Sequence, residues 1–184
     1  MPLDSDTLGD LIATIRRYVQ ERLIPNEGKV ADEDRIPPEI VDEMRRLGFF
    51  GLTVPEEYGG LALTMEEEAL VGFELGHASP AFRSVFGTNN GIGSQAIVLA
   101  GTEEQKQRYL PRLASGELIG SFALTEPEAG SDAAAVSTRA VRDGDGYVLD
   151  GTKRFITNAP HAGRLTVMAR TDPATTLALR RLQA

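Results

Sequence analysis

The chain has no cysteine, which removes disulfides, thiolate metal sites and a cysteine nucleophile together and fits a reducing compartment. It also has no basic stripe. Lys and Arg number 19 against 27 Asp and Glu, for a formal net charge of −8. Neutralising phosphates takes clustered positive charge, so this balance argues against nucleic-acid binding. Aromatic residues make up only 6% and do not alternate with cations as a single-strand platform requires. Long hydrophobic runs are missing as well: the longest strongly apolar stretch, 96–100, falls far short of the roughly 20 residues that span a bilayer. The acidic start, residues 1–10, has neither the basic nor the apolar region of a signal peptide. These absences predict a cytoplasmic protein. What remains, 41% hydrophobic and 25% charged residues in 184, is ordinary for a globular chain with a real core.

The first half carries helical periodicity. Leu8, Leu11, Ile12, Ile15 and Val19 share one face and Pro25 closes the pattern, which predicts an amphipathic helix over 6–24. Pro37 and Pro38 open a second helix with Ile40, Val41, Met44 and Leu47 on its apolar face and Gly48 as a left-handed stop. Thr64-Met65-Glu66-Glu67 and Thr102-Glu103-Glu104-Gln105 fit the capping box, in which the Thr hydroxyl and the side chain three residues on satisfy orphan amides reciprocally. Between them, Phe82, Val85, Phe86, Ile92, Ala96 and Leu99 predict a buried helix over 82–100.

After Ser115-Gly116 the period changes. Segments 119–124, 138–142, 147–150, 153–157 and 165–171 are short, β-branched or aromatic, and separated by Gly, Asp and Pro. Asp143-Gly144-Asp145-Gly146 and Gly151-Thr152 supply turns, so an antiparallel β unit is expected. Helices followed by strands predict an α+β chain of two parts: an all-α domain at 1–117 and a partial antiparallel β domain at 118–172.

Three patterns have ordinary explanations. Gly91-Ile92-Gly93-Ser94-Gln95-Ala96 matches a dinucleotide fingerprint, yet no strand precedes it, so close packing of helices through small residues is the better reading. Asp143 and Asp145 open no calcium loop, since Tyr147 occupies the fifth position and no Glu closes it. His77 and His161 are isolated, and no nucleophile elbow surrounds Ser131.

Two stretches differ in kind. From Ser121 to Asp132 a predicted strand runs into a Pro and Gly loop carrying hydroxyls and acids, as a sheet edge does when it offers donors to a ligand. On its residues alone it equally suits a structural turn. In Gly151-Thr152-Lys153-Arg154-Phe155-Ile156-Thr157-Asn158 a strand would put Phe155 and Thr157 on one face, an arrangement for a flat heteroaromatic ring or for a core edge.

These residues resemble a known family. Ala123-Leu124-Thr125-Glu126-Pro127-Glu128-Ala129-Gly130-Ser131-Asp132-Ala133-Ala134-Ala135 is similar to the first signature of the acyl-CoA dehydrogenases, and 151–158 to that family's flavin-flanking strand. Gly48-Phe49-Phe50-Gly51 and Val54-Pro55-Glu56-Glu57-Tyr58-Gly59-Gly60 resemble the loop after its second helix. The likeness covers residues 8–172, whereas 173–184 reads as a non-family tail.

The resemblance implies FAD as cofactor and an acyl-CoA thioester as substrate. Phe122, Leu124 and Thr125 match positions bordering the isoalloxazine ring, with Thr125 and Thr157 as hydrogen-bond partners of its edge. Phe155 stands where the family often has Trp. Gly130 matches a glycine that brings the loop close to cofactor and substrate, and Ser131 the hydroxyl that contacts the cofactor or the thioester. Family chemistry takes the α-proton with a carboxylate and transfers the β-hydrogen as hydride to the flavin, leaving a 2-enoyl-CoA. Electrons pass on to an electron-transfer flavoprotein or similar acceptor, and the full-length proteins are homo-oligomers. Family members are about twice this long, so the resemblance assigns no catalytic base here and expects it from a C-terminal helical domain. Were the chain to supply a base of its own, Glu126 and Glu128 within the signature would be the first candidates. The alternative reading is a non-catalytic FAD or acyl-CoA binding module, or one half of a two-chain enzyme.

Overall fold

In the computed structural model, which describes residues 2–171, helix α1 (Ser5–Tyr18) starts where the Asp4 carboxylate accepts from the amides of Asp6 and Thr7. Those are two of the donors that a helix start leaves unpaired. The helix continues through a π turn at Val19–Leu23 and a 3₁₀ turn at Ile24–Asn26, so Pro25 falls in that turn and closes no helix. A short α2 (Glu27–Glu33) follows that the apolar spacing does not reveal. Helix α3 (Pro38–Arg46) leads to Gly48, which holds a left-handed conformation at φ 75°.

Both predicted capping boxes form, at Thr64 before α4 (Met65–Leu75) and at Thr102 before α7 (Glu103–Ala114). The segment read as one buried helix is two. Helix α5 (Pro80–Asn90) stops at a turn over 91–94, and α6 (Gln95–Ala100) resumes. Ile92 in that turn is half exposed and Leu99 on α6 is largely exposed, because the turn rotates their apolar stripe away from the core. The main core gathers Ile15, Leu23, Ile40, Met44, Phe49, Phe50, Phe82 and Phe86. Phe49 sits at its centre, tilted on Phe86 at 5.3 Å and edge-on to Tyr18 at 5.6 Å. A second cluster of Val54, Tyr58, Ile97, Leu110 and Leu113 packs α6 and α7 on the loop after α3. Among the described residues no helix is long and apolar enough to cross a membrane.

The sheet region is small. Strands β2 (Arg139–Asp143) and β3 (Gly146–Asp150) form the predicted hairpin about Gly144, whose φ is 57°. Strand β1 (Gly120–Ala123), however, pairs with β4 (Arg164–Val167) in parallel, Gly120 opposite Arg164 and Ala123 opposite Val167. The unit is therefore antiparallel only in its hairpin. Some forty residues separate β1 from β4, length enough for the crossover that a parallel pair needs. No strand forms at 153–157. There the left-handed backbone of Phe155, φ 58°, breaks the extended run. Residues 173–184, read as a non-family tail, lie outside the described residues, as does Asp172 at the end of the expected β domain.

The join between helices and sheet rests on side-chain amides. Asn89 at the end of α5 is fully buried. Its Nδ2 donates to the Leu113 carbonyl at 2.9 Å and the Leu118 carbonyl at 2.8 Å, while its Oδ1 accepts from the Gly120 amide at 2.8 Å. One residue thus ties α5, the end of α7 and the first residue of β1.

Candidate functional site

Strand alternation decides what β1 can offer. The Ile119 carbonyl accepts from Gly163 and the Ala123 carbonyl from Met168, each at 3.0 Å, so the odd residues face β4. Backbone groups of Phe122 and Leu124 then point to the opposite edge. Among the described residues no strand pairs there.

A stretch without strand structure lies beside β1 and the residues that follow it. The Ser121 hydroxyl donates to the Thr157 carbonyl at 2.6 Å, and the Arg154 amide to the Thr125 carbonyl at 2.8 Å. Lys153 Nζ donates to the Leu124 carbonyl at 3.0 Å. Segment 153–157 therefore runs antiparallel to 121–125 without a ladder. The two stretches singled out in the sequence, 30 residues apart, are brought together, which no local pattern reveals.

Phe122, Leu124 and Thr125 are half-buried on or just past β1, whereas Phe155 and Thr157 are exposed. Phe155 shows 80% of its surface, and the Arg154 guanidinium stacks on its ring at 4.5 Å from the centroid. Neither the Thr125 nor the Thr157 hydroxyl makes a hydrogen bond among the described residues. Phe155 and Thr157 share this site, though not as neighbours on a strand face: the left-handed turn at Phe155, not pleat alternation, directs the ring outward. Asn158, itself left-handed at φ 63°, anchors the end of the segment on α5 by donating to the Ser84 carbonyl at 2.8 Å and Thr88 Oγ1 at 2.9 Å. Gly130 and Ser131 lie farther along, exposed in the loop after the turn in which Glu126 and Ala129 bond to each other.

Glu126, named with Glu128 only as a candidate should the chain carry a base of its own, is buried and fully engaged. It accepts from the amides and hydroxyls of both Ser137 and Thr138 and from Lys153 Nζ at 2.8 Å. Burial by itself would raise its pKa. The hydrogen bonds from Lys153, Thr138 and Ser137 outweigh that effect and hold the carboxyl well below the usual carboxylate range. A carboxylate so committed closes loop 127–136 at its base and has no lone pair to spare for a proton in transit.

Sequence comparison decides the family. The model of the acyl-CoA dehydrogenase N-terminal domain matches residues 5–117 and that of the acyl-CoA dehydrogenase middle domain residues 121–182. The chain belongs to the acyl-CoA dehydrogenase family. The second match runs past Asp172 into the segment read as a tail. Among the family's members, the (2S)-methylsuccinyl-CoA dehydrogenase of Cereibacter sphaeroides is 41% identical over 88% of this chain and 29% of its own length. The mitochondrial isovaleryl-CoA dehydrogenase of Bos taurus is 39% identical over 86% of this chain and 38% of its own. An acyl-CoA dehydrogenase from Bacillus anthracis, solved in complex with FAD, superposes with a TM-score of 0.80 at 36% identity over 90% of this chain and 29% of that one. The chain thus spans less than half the length of these relatives.

Of the glycines at 91 and 93, Gly93 serves close packing, while a Cβ on Gly91 would meet only the Gly87 carbonyl oxygen at 3.8 Å. A Cβ on Gly93 would meet the Thr88 carbonyl oxygen at 2.5 Å and the Gly120 carbonyl carbon at 3.4 Å, where the turn after α5 presses on the start of β1. Asn89 and Asn158 went unnoticed in the sequence because nothing local distinguishes a bracing asparagine from a surface one.

Proposed function

We propose that this chain supplies the flavin and thioester face of an FAD-dependent acyl-CoA dehydrogenase acting in the α,β-dehydrogenation of an acyl-CoA, as in fatty-acid β-oxidation. The observation that carries the reading is the edge of β1 that no strand pairs among the described residues, with segment 153–157 held beside the strand. That edge offers backbone donors, and the Thr125 and Thr157 hydroxyls beside it have no hydrogen-bond partner among the described residues. Phe155 is displayed in a backbone conformation that costs a bulky residue on the order of 1–3 kcal/mol, strain of the kind that collects at ligand sites. These are the features that a flat, polar-edged ring requires.

FAD bound there would accept the hydride from the β-carbon. The chain's own residues would orient it. Phe155 would pack on the ring, while the Phe122 and Leu124 backbone with the Thr125 and Thr157 hydroxyls would bind its edge and stabilise the charge that reduction places on it. Gly130 and Ser131 would approach cofactor and thioester from the loop, where a hydroxyl on the carbonyl oxygen makes the α-proton more acidic. No base is assigned to residues 2–171, since Glu126 is engaged in holding the loop.

The relatives carry different acyl groups in their names, so the substrate class is an acyl-CoA thioester. An electron-transfer flavoprotein or similar acceptor would take the electrons, and a homo-oligomer is the expected working form. The lack of cysteine supports a reducing compartment such as the cytoplasm.

Titrating the chain with FAD and following flavin fluorescence tests the reading. Thr157→Val should weaken binding about two- to tenfold, as loss of one neutral hydrogen bond does. An unchanged affinity removes Thr157 from the site. Mixed anaerobically with FAD and acyl-CoA thioesters, the isolated chain should not bleach the flavin. Rapid bleaching would require a base within it, with Glu128 the first to mutate.

A further inference from the structure

Glu126 is held from two directions. Four of its donors come from consecutive residues, Ser137 and Thr138, at the far end of the loop that it begins. They fix the carboxylate relative to the start of β2. The fifth is Lys153, whose Nζ lies 2.8 Å from Glu126 Oε1 and 3.0 Å from the Leu124 carbonyl. Both side chains are nearly closed to solvent, at 2% for Glu126 and 12% for Lys153. A buried charge pair of this kind is a weak source of stability compared with apolar packing, yet it is demanding in geometry. Here the geometry falls at a particular place. Lys153 immediately precedes Arg154, Phe155, Ile156 and Thr157, the residues lying beside β1.

We propose that Glu126 and Lys153 are positioning residues: the carboxylate, anchored by Ser137 and Thr138, holds the lysine against Leu124 and so sets where segment 154–157 lies beside β1. The inference rests on the flavin-face reading for its purpose, but the positioning itself can be measured without a cofactor. Among the described residues, segment 154–157 has few other constraints. The Arg154 amide bond to Thr125 and the Ser121 bond to the Thr157 carbonyl join it to β1, and Asn158 pins its far end on α5. Without the lysine its near end would be set by one backbone bond next to a left-handed Phe155. Phe155, whose ring has to meet a ligand face within a few tenths of an ångström, would lose its register even while the fold survived.

The test uses the full chain and two readouts. Hydrogen exchange at the Arg154 amide reports the segment's attachment to β1 in the cofactor-free protein, and quenching of FAD fluorescence reports the site. Lys153→Met removes the ammonium while leaving Glu126 its four other donors. The double variant E126Q/K153M leaves no unpaired charge buried and guards against a failure to fold. In either, the Arg154 amide should exchange about tenfold faster or more, the factor associated with losing a bond to a charged group, and FAD should bind correspondingly more weakly. Ser137→Ala serves as the comparison, since it removes a Glu126 hydrogen bond on the loop side without touching the lysine. Arg154 exchange and FAD affinity should stay within about twofold in that variant, well below the effect of losing a charged partner. Arg154 protection unchanged in the folded lysine variants overturns the proposal. So does a Ser137→Ala effect equal to theirs, which would make the network general bracing. If the unaltered chain binds no FAD while the lysine variants still loosen Arg154, the positioning stands and the flavin-face reading is what fails.

Discussion

Replacing Asn89 by leucine keeps the side chain's volume and shape while removing its donor and acceptor, and so isolates the three hydrogen bonds that join helices to sheet. The Leu113 carbonyl keeps a second partner, the Gly116 amide at 3.2 Å. The Leu118 carbonyl is only partly buried and can turn toward water. The Gly120 amide is buried and has no substitute. One fully orphaned donor and one partly orphaned acceptor put the loss at about 2–4 kcal/mol, since each buried unpaired group costs roughly 1–3 kcal/mol. Against a total stability of about 5–15 kcal/mol, that is a large fraction. Urea unfolding followed by circular dichroism would measure it as a lowered midpoint with an unchanged slope. Asn89→Asp sharpens the test. The carboxylate can still accept from Gly120, but it presents an oxygen to the Leu113 and Leu118 carbonyls where the amide presented N–H, so it should destabilise at least as much as leucine. A leucine variant within about 0.5 kcal/mol of the parent, the range of an ordinary surface change, or an aspartate variant milder than leucine, would refute the reasoning.

Three further outcomes follow from the geometry. Because Glu126 is held below its ordinary pKa, its stabilisation is present above the unfolded-state value of about 4.3 and is lost as pH falls through the folded value. The stability difference between the parent and Glu126→Gln, read from urea midpoints, should therefore hold from neutral pH to about 5 and shrink below it; a difference that grows on acidification contradicts the ionised, hydrogen-bonded carboxylate. Gly60→Ala should cost about 2–3 kcal/mol, because a Cβ there overlaps the Val54 carbonyl and comes within 2.7 Å of the Gly51 carbonyl oxygen. Neighbouring Gly59, left-handed at φ 83° but with open space around it, should cost only about 1 kcal/mol as alanine, and the reverse order in thermal unfolding would show the close approach to be mistaken. Ser131→Ala should leave stability within about 1 kcal/mol, as an exposed loop change does, while weakening FAD or acyl-CoA binding; a large stability loss with normal binding would make the hydroxyl a brace.

What the sequence determined by itself is local in origin. The two capping boxes, the Gly48 stop and the hairpin about Gly144 are each written in three or four adjacent residues, and all four form. The division into helices and then strands, and the family signature at 123–135, are likewise contiguous text. Tertiary structure decided whatever depends on residues far apart in the chain. Periodicity ran one helix through 82–100 because it cannot register the press of the Gly93 turn against Gly120. Pleat alternation put Phe155 and Thr157 on a strand face because the left-handed turn at Phe155 is held by partners at 121, 125 and 126. The parallel pairing of β1 with β4 is equally remote. Glu126 shows the limit most clearly: an acid in a signature loop looks available for chemistry until the fold brings Ser137, Thr138 and Lys153 around it. Desolvation then makes an unpaired charge too costly to keep, and each of its lone pairs is committed to holding the loop and the flavin-flanking segment in place.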